Sequence, residues 1–197
     1  MDTRKAEIAA TAARMVVEEG LEYGAAKRRA VKQLGLPNRS ALPDNDEVED
    51  AVREYIELFS AETQPAELLA LRRLALVWME RMAPFRPHLG GAVWRGTATR
   101  RSDVYLQLFC DDAKAAEIAL IDHRLQYLPR TVVGFNGAPT EALSLHCWSD
   151  ALQEDIGVHL MLYDFDDVRG ALKPDARGHS ARGNIEAVRR LVHDAAP

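Results

Sequence analysis

The chain has 197 residues, of which 47% are hydrophobic and 28% are charged, and its formal net charge is -5. This length and composition suit one or two globular domains, and the acidic balance excludes a protein that wraps nucleic acid through its overall charge. No apolar run approaches the roughly 20 residues that span a bilayer, and the N-terminus lacks a signal-peptide core, so we expect no membrane partner and a cytoplasmic location.

The first third of the chain has the apolar spacing and the stop signals of helices. A first helix is predicted to end at Gly20, a second covers Leu21 to Leu34, and a third extends to Phe59. A fourth covers Pro65 to Met82, where apolar residues occupy much of the circumference. The pattern predicts a helical region over residues 1–64.

Strands separated by turns replace the helices from Leu89 onward. The predicted strands cover Asp103–Phe109, Thr131–Phe135, Ala142–Trp148 and Gly157–Tyr163. Asp111-Asp112 caps an intervening helix, and a last helix is predicted over Asn184 to His193. The sequence therefore predicts an α+β domain over residues 65–197, with a mixed sheet and flanking helices.

A glycine pair, a basic loop and an acid-bearing strand follow one another after the fourth helix. Gly90 and Gly91 let backbone N–H groups approach a phosphate that side chains would block. Arg95 and Arg101 make the loop after them basic, although the chain is acidic overall. Asp103 begins a strand on which alternate residues share a face, so its carboxylate is predicted to lie on the polar side. The pattern indicates a site for phosphate groups.

This order of elements resembles the polymerase-beta-like nucleotidyltransferase superfamily. The signature of that superfamily is a Gly-Ser or Gly-Gly turn, roughly a dozen residues, and then Asp-x-Asp or Asp-x-Glu between apolar residues on a strand. Here Gly90-Gly91 supplies the turn, Asp103 is the first acid, and Tyr105 stands at the second acidic position. The resemblance implies a nucleotidyltransferase-like fold from the fourth helix to about Tyr163.

The resemblance also implies roles for individual residues. The implied nucleotide-binding residues are Gly90, Gly91, Arg95, Arg101, Ser102 and Tyr105. Asp103 is the implied catalytic residue and Mg²⁺ ligand, in a reaction that transfers a nucleoside monophosphate from an NTP to a hydroxyl. Because Tyr105 replaces a carboxylate and Mg²⁺ prefers hard oxygen ligands, we expect a divergent protein that binds a nucleotide or another phosphorylated ligand, with turnover left open.

Other polar residues near this strand leave alternatives open. His146 and His159 fall on the polar sides of their strands, where they are either half-buried histidines or part of a metal site with Asp103. Glu141 is the best candidate for a third acid. The loop from Lys173 to Arg182 is either solvated or folds over a bound phosphate.

Two other classes of function stay open. The sheet could support a non-catalytic module whose helical region binds a protein partner. Lys27, Arg28 and Arg29 lie in a helix-turn-helix-like stretch, which makes DNA binding a lesser alternative. P-loop enzymes and Rossmann dehydrogenases are poor fits, because the sequence contains neither of their glycine motifs, and the G-x-S-x-G elbow of serine hydrolases is absent too.

Overall fold

The computed structural model describes residues 3–175 and 177–195, and these residues divide into two units. The first unit contains the described residues up to Ala66 together with Thr97–Arg101. The second contains Glu67–Gly96 and the described residues from Ser102 onward. The helical region predicted over residues 1–64 therefore lacks the segment Thr97–Arg101, which belongs to the same unit.

Helices α1 (Thr3–Glu19), α2 (Tyr23–Gln33) and α3 (Asn45–Phe59) lie in the first unit. Small and branched side chains from these helices form its core, in which Ile8 and Val52 are fully buried. A capping box begins α3. The Asp44 carboxylate accepts a hydrogen bond from the Glu47 N–H, and the Glu47 carboxylate accepts one from the Asp44 N–H. This arrangement satisfies two backbone donors at the start of the helix.

The segment Thr97–Arg101 is held against the other residues of the first unit. Gly20, which follows α1, has a φ of 71°, and a Cβ at this position would lie 2.7 Å from the Arg101 carbonyl oxygen. The Thr99 hydroxyl donates a hydrogen bond to the Val17 carbonyl at 3.3 Å. Glycine is therefore required at position 20 by both its left-handed backbone and the close approach of the segment.

The remaining described elements build the sheet and its flanking helices. The helices are α4 (Gln64–Arg81), α5 (Gly91–Arg95), α6 (Ala113–Asp122), α7 (Val168–Ala171) and α8 (Ile185–Asp194). The strands are β1 (His88–Gly90), β2 (Val104–Cys110), β3 (Leu128–Val133), β4 (Pro139–Ser149) and β5 (Glu154–Asp164).

The described strands form a five-stranded sheet in the order β1-β2-β5-β4-β3. β2 and β5 are parallel, and the other three neighbouring pairs are antiparallel. The register places Tyr105 opposite His159, and His159 opposite Ser144. Polar residues from three neighbouring strands therefore lie in one row across the sheet.

The two faces of the sheet differ in chemistry. One face carries fully buried aliphatic residues such as Leu106 and Leu160. The Trp78 indole N–H of α4 donates to the Cys147 sulfur at 3.2 Å, so α4 packs on this face. We call the other side the polar face, and its residues include Asp103, Tyr105, Gln107, Ser144, His146, Gly157 and His159.

The predicted α+β class is confirmed. Two local predictions differ from the structure. The strand predicted from Thr131 begins at Leu128 and includes Pro129, which is tolerated because β3 is an edge strand and needs no backbone donor there. A short helix, α5, begins at Gly91, where a loop was predicted. None of the helices that the structure describes combines the length and the apolar character needed to cross a bilayer.

Candidate functional site

A chain of hydrogen bonds crosses the polar face from Asp103 to Ser144. The Asp103 Oδ2 atom lies 3.1 Å from His159 Nε2, and His159 Nδ1 lies 2.8 Å from the Ser144 hydroxyl oxygen. All of these contacts are satisfied if His159 is neutral and carries its proton on Nε2. In that state Nε2–H donates to the carboxylate, and the Ser144 hydroxyl donates to Nδ1.

The carboxylate of Asp103 is also held by the backbone of β5. Its Oδ1 atom accepts a hydrogen bond from the Gly157 N–H at 3.1 Å. A Cβ on Gly157 would lie 2.6 Å from the Asp103 Cγ atom, so a larger residue would push the carboxylate away. No role for Gly157 was predicted from the sequence. A glycine inside an otherwise apolar strand was the available signal, since such glycines often mark a close approach.

Exposure increases along this chain of hydrogen bonds towards Asp103. Ser144 is only 7% exposed, the His159 side chain is 16% exposed, and the Asp103 side chain is 43% exposed. In a serine hydrolase the hydroxyl is the accessible end and the acid is buried. The order is reversed here, so Ser144 and His159 position Asp103, and the carboxylate is the group that faces solvent.

These contacts change the acidity of Asp103. The hydrogen bond from His159 is the largest cause that lowers the pKa of Asp103, and it outweighs the opposing effect of burial. The Gly157 N–H and the nearby His146 lower it further. Ionised Asp103 therefore stabilises the folded state above the unfolded-state pKa of about 3.9, and this stabilisation is lost as the pH falls through the folded-state pKa.

Replacing His159 with phenylalanine is expected to raise the pKa of Asp103 towards its ordinary value. The substitution keeps an aromatic ring beside Tyr105 but removes the donor to the carboxylate. A ¹³C NMR titration of the Asp103 carboxyl carbon measures the change. The control is His146→Phe. His146 makes the smallest contribution to lowering the pKa of Asp103, so its removal should raise that pKa much less. An unchanged titration in His159→Phe would contradict the positioning role.

Tyr105 fills the space between His159 and the glycine turn. Its ring stacks on the His159 ring with centroids 4.7 Å apart and an interplanar angle of 28°. On the other side, a Cβ at Gly91 would lie 3.7 Å from Tyr105 Cδ2. Gly91 has a φ of 68°, which favours glycine. The residue at the second acidic position is therefore a ring packed against both the histidine and the turn.

The glycine pair lies beside this strand because β1 and β2 are antiparallel neighbours. Gly90 pairs with Tyr105 in the register. A Cβ on Gly90 would lie 3.6 Å from the Gln107 side-chain nitrogen and 3.9 Å from the Ala181 carbonyl oxygen. Gln107 is buried, and its side-chain oxygen has no hydrogen-bond partner within the described part of the chain. The backbone at Gly90 is thus surrounded by polar groups.

The other predicted site residues are more dispersed. Arg95 is the last residue of α5 and is exposed. Ser102 directly precedes Asp103 and is half-buried. Arg101 belongs to the first unit, whereas the glycine pair and Asp103 belong to the second. The structure therefore brings the glycines, Asp103 and Tyr105 together within one unit, and Arg101 is part of the other.

The metal alternatives find little support in the geometry. No group of three or more His, Cys, Asp or Glu side chains that could hold a metal ion occurs among residues 3–175 and 177–195. Both His159 ring nitrogens are already in hydrogen-bond contacts. Glu141 is exposed and neighbours Ala142, which shares its face with Ser144, so Glu141 lies on the opposite face from Asp103. The interpretation of Glu141 as a third acid was wrong.

The basic residues of α2 make contacts inside the first unit. The Lys27 ammonium group donates to the Pro43 carbonyl at 3.1 Å and to the Asn45 side chain at 2.9 Å. Arg29 forms an ion pair with Glu19 at 2.6 Å. Two of the three cations proposed for DNA binding are therefore engaged by their own unit.

The site consists of an oriented carboxylate, a tyrosine ring and a glycine pair in which Gly90 is buried and Gly91 is half-buried. The loop predicted from Lys173 to Arg182 belongs to the same unit as this site, and its last residue, Arg182, is buried. No protein-family model matches the chain, and no match is found among curated proteins or solved structures.

Proposed function

We propose that the protein binds a nucleotide or another phosphorylated ligand beside Gly90-Gly91 and Asp103, as a divergent nucleotidyltransferase-like protein. The observation that supports this function is the antiparallel pairing of β1 with β2, which sets Gly90 opposite Tyr105. The glycine pair thereby lies beside the strand residue that follows Asp103 by two positions. A glycine backbone without side chains and an accessible carboxylate suit a phosphate that carries a bound cation.

Each residue contributes a different interaction to this proposal. Gly91 is half-buried and has no side chain, so a phosphate oxygen can approach its backbone closely, and the buried Gly90 precedes it at the end of β1. Arg95 lies one helical turn after Gly91 on the same side of α5, where its charge favours an anion. Asp103 faces solvent with both oxygens oriented by the sheet.

Asp103 fits Mg²⁺ that arrives with the ligand better than a resident metal centre. Each of its oxygens accepts one hydrogen bond, and an ionised carboxylate has further lone pairs. Mg²⁺ commonly binds one or two carboxylates and completes its shell with phosphate oxygens and water. Two-metal phosphoryl transfer requires more carboxylates, and position 105 holds tyrosine. Binding is therefore the proposed activity, and product analysis with a hydroxyl acceptor tests whether transfer follows.

Asp103→Asn is expected to abolish a Mg²⁺-dependent rise in Tm that the unsubstituted protein shows with an NTP. A ligand that binds only the folded state raises Tm by on the order of 3 °C at about ten times its Kd. The amide keeps the size of the side chain and removes its charge. Thermal-shift measurements with four NTPs, each with and without Mg²⁺, give the comparison.

Asp122→Asn is the matched control for this experiment. Asp122 is exposed at the end of α6, so its loss of charge should leave the NTP-dependent shift unchanged. Equal shifts in Asp103→Asn and the unsubstituted protein would reject the site. No shift with any NTP would favour the alternative of a protein-interaction module.

A further inference from the structure

Arg182 is a buried cation that has no carboxylate partner in the part of the chain that the structure describes. The residue is 9% exposed, although the sequence around it is polar. Its contacts are with a backbone carbonyl and an aromatic ring rather than an acid. Buried charges in proteins are ordinarily paired, because an unpaired one loses its hydration without compensation.

The guanidinium group of Arg182 is held in one orientation by these contacts. Its Nη1 atom donates to the carbonyl of Ala171 at the end of α7. Its central carbon lies 4.7 Å from the centroid of the Phe135 ring, and that ring lies 4.7 Å from the Tyr163 ring. Tyr163 and Ala171 belong to a buried apolar cluster with Phe109. One edge of the guanidinium is thus fixed, and an aromatic wall covers its face.

The other edge of the guanidinium has no protein partner. The Nε–H group is buried and makes no hydrogen bond, and Nη2 makes none to the described residues. Nε and Nη2 lie on the side away from the bond to Ala171. Two parallel N–H groups in this arrangement match the two oxygens of a carboxylate or a phosphate. The unused donors are therefore the pair suited to an anion.

We propose that Arg182 anchors a second site, which binds the phosphate or carboxylate group of a small ligand through the Nε and Nη2 donors. The site lies at the carboxyl-terminal end of β5, near Tyr163. Tyr163 lies six positions after Gly157, which contacts Asp103, and at about 3.3 Å per position this is roughly 20 Å along the strand. The second site therefore does not include Asp103. Because the Ala181 carbonyl would lie 3.9 Å from a Cβ at Gly90, the two sites are separated by their dependence on Asp103.

The test is a thermal-shift titration of the full chain with sodium phosphate and with sodium acetate. Sodium chloride at the same ionic strength and pH is the reference. We expect phosphate or acetate to raise Tm saturably, by on the order of 3 °C at about ten times its Kd, and the stronger of the two identifies the preferred group. Arg182→Met should abolish this rise. Arg169→Met removes an exposed arginine of α7 and should leave it unchanged.

A second measurement needs no substitution and applies even if Arg182→Met does not fold. As phosphate or acetate is added, the Nε–H resonance of Arg182 in a ¹H–¹⁵N NMR spectrum should shift. Its shift should saturate over the same anion concentrations as the rise in Tm. Asp103→Asn should show the same response to these anions as the unsubstituted protein, which separates this site from the nucleotide site. An unmoved Nε–H resonance with no saturable rise in Tm would overturn the proposal. An equal loss of the rise in Arg169→Met would do the same.

Discussion

Replacing Trp78 with alanine is expected to lower the free energy of unfolding by roughly 3 to 5 kcal/mol, which is typical for removing a fully buried aromatic side chain. Trp78 is 1% exposed, and its indole N–H donates to the Cys147 sulfur. The Arg81 guanidinium also lies 4.5 Å from the centroid of its ring. The substitution removes all of these contacts and leaves a cavity between α4 and the sheet.

Urea unfolding followed by circular dichroism measures this effect without depending on tryptophan fluorescence. Trp148→Ala is the matched control, because Trp148 is 59% exposed and its indole N–H donates to the exposed Asp150. We expect that control to change stability by less than about 0.5 kcal/mol. Similar losses in the two variants would contradict the packing of α4 on the sheet.

Replacing Gly183 with alanine is expected to destabilise the protein by about 3 kcal/mol, at the upper end of the range for overpacking. A Cβ at this position would overlap the Trp94 ring, with Cε3 only 2.7 Å away. The ring cannot move easily, because its N–H donates to the Ser180 carbonyl at 2.7 Å. Gly183 also exchanges two backbone hydrogen bonds with Leu89 of β1, so the backbone is held in place.

Gly170→Ala provides the control for the effect of removing a glycine. Gly170 lies in α7, and a Cβ there has no heavy atom within 4 Å. This variant should be unchanged or more stable by less than about 1 kcal/mol, because alanine restricts the unfolded chain. Chemical denaturation of both variants makes the comparison. If Gly183→Ala were as stable as Gly170→Ala, the segment around Gly183 would not pack against Trp94.

Residues that act within one strand or helix could be predicted from the sequence. Alternation placed Asp103, Tyr105 and Gln107 on one face, because side chains two residues apart in a strand point the same way. Helical spacing identified the position of α3, whose capping residues are close in sequence. These features depend on local geometry, so they leave a direct pattern in the chain.

The contacts of Asp103 with β5 could not be predicted in the same way. His159 and Gly157 touch Asp103 because β5 pairs with β2 in parallel, with Tyr105 opposite His159. A shift of this register by one residue would turn His159 to the opposite face. Alternation shows that a strand has a polar side, but it does not identify the neighbouring strand.

The burial of Arg182 was hidden from the sequence for a similar reason. The polar composition around it is typical of a solvated loop, which was one of the two predictions for this segment. In the structure Gly183 pairs with β1. The Arg182 guanidinium lies over the Phe135 ring and donates a hydrogen bond to the Ala171 carbonyl. Composition reports the average environment of a segment, whereas the burial of one side chain depends on what packs over it.

The sequence by itself determined the α+β class, the polar face of β2 and the presence of a glycine turn before Asp103, because periodicity and glycine chemistry are local. Tertiary structure alone decided the strand order, the hydrogen bonds that orient Asp103 and the unpaired edge of Arg182. Each of these depends on segments that are distant in sequence but meet in the folded chain. Their pairing is selected by the packing of the whole unit rather than by the residues of any single element.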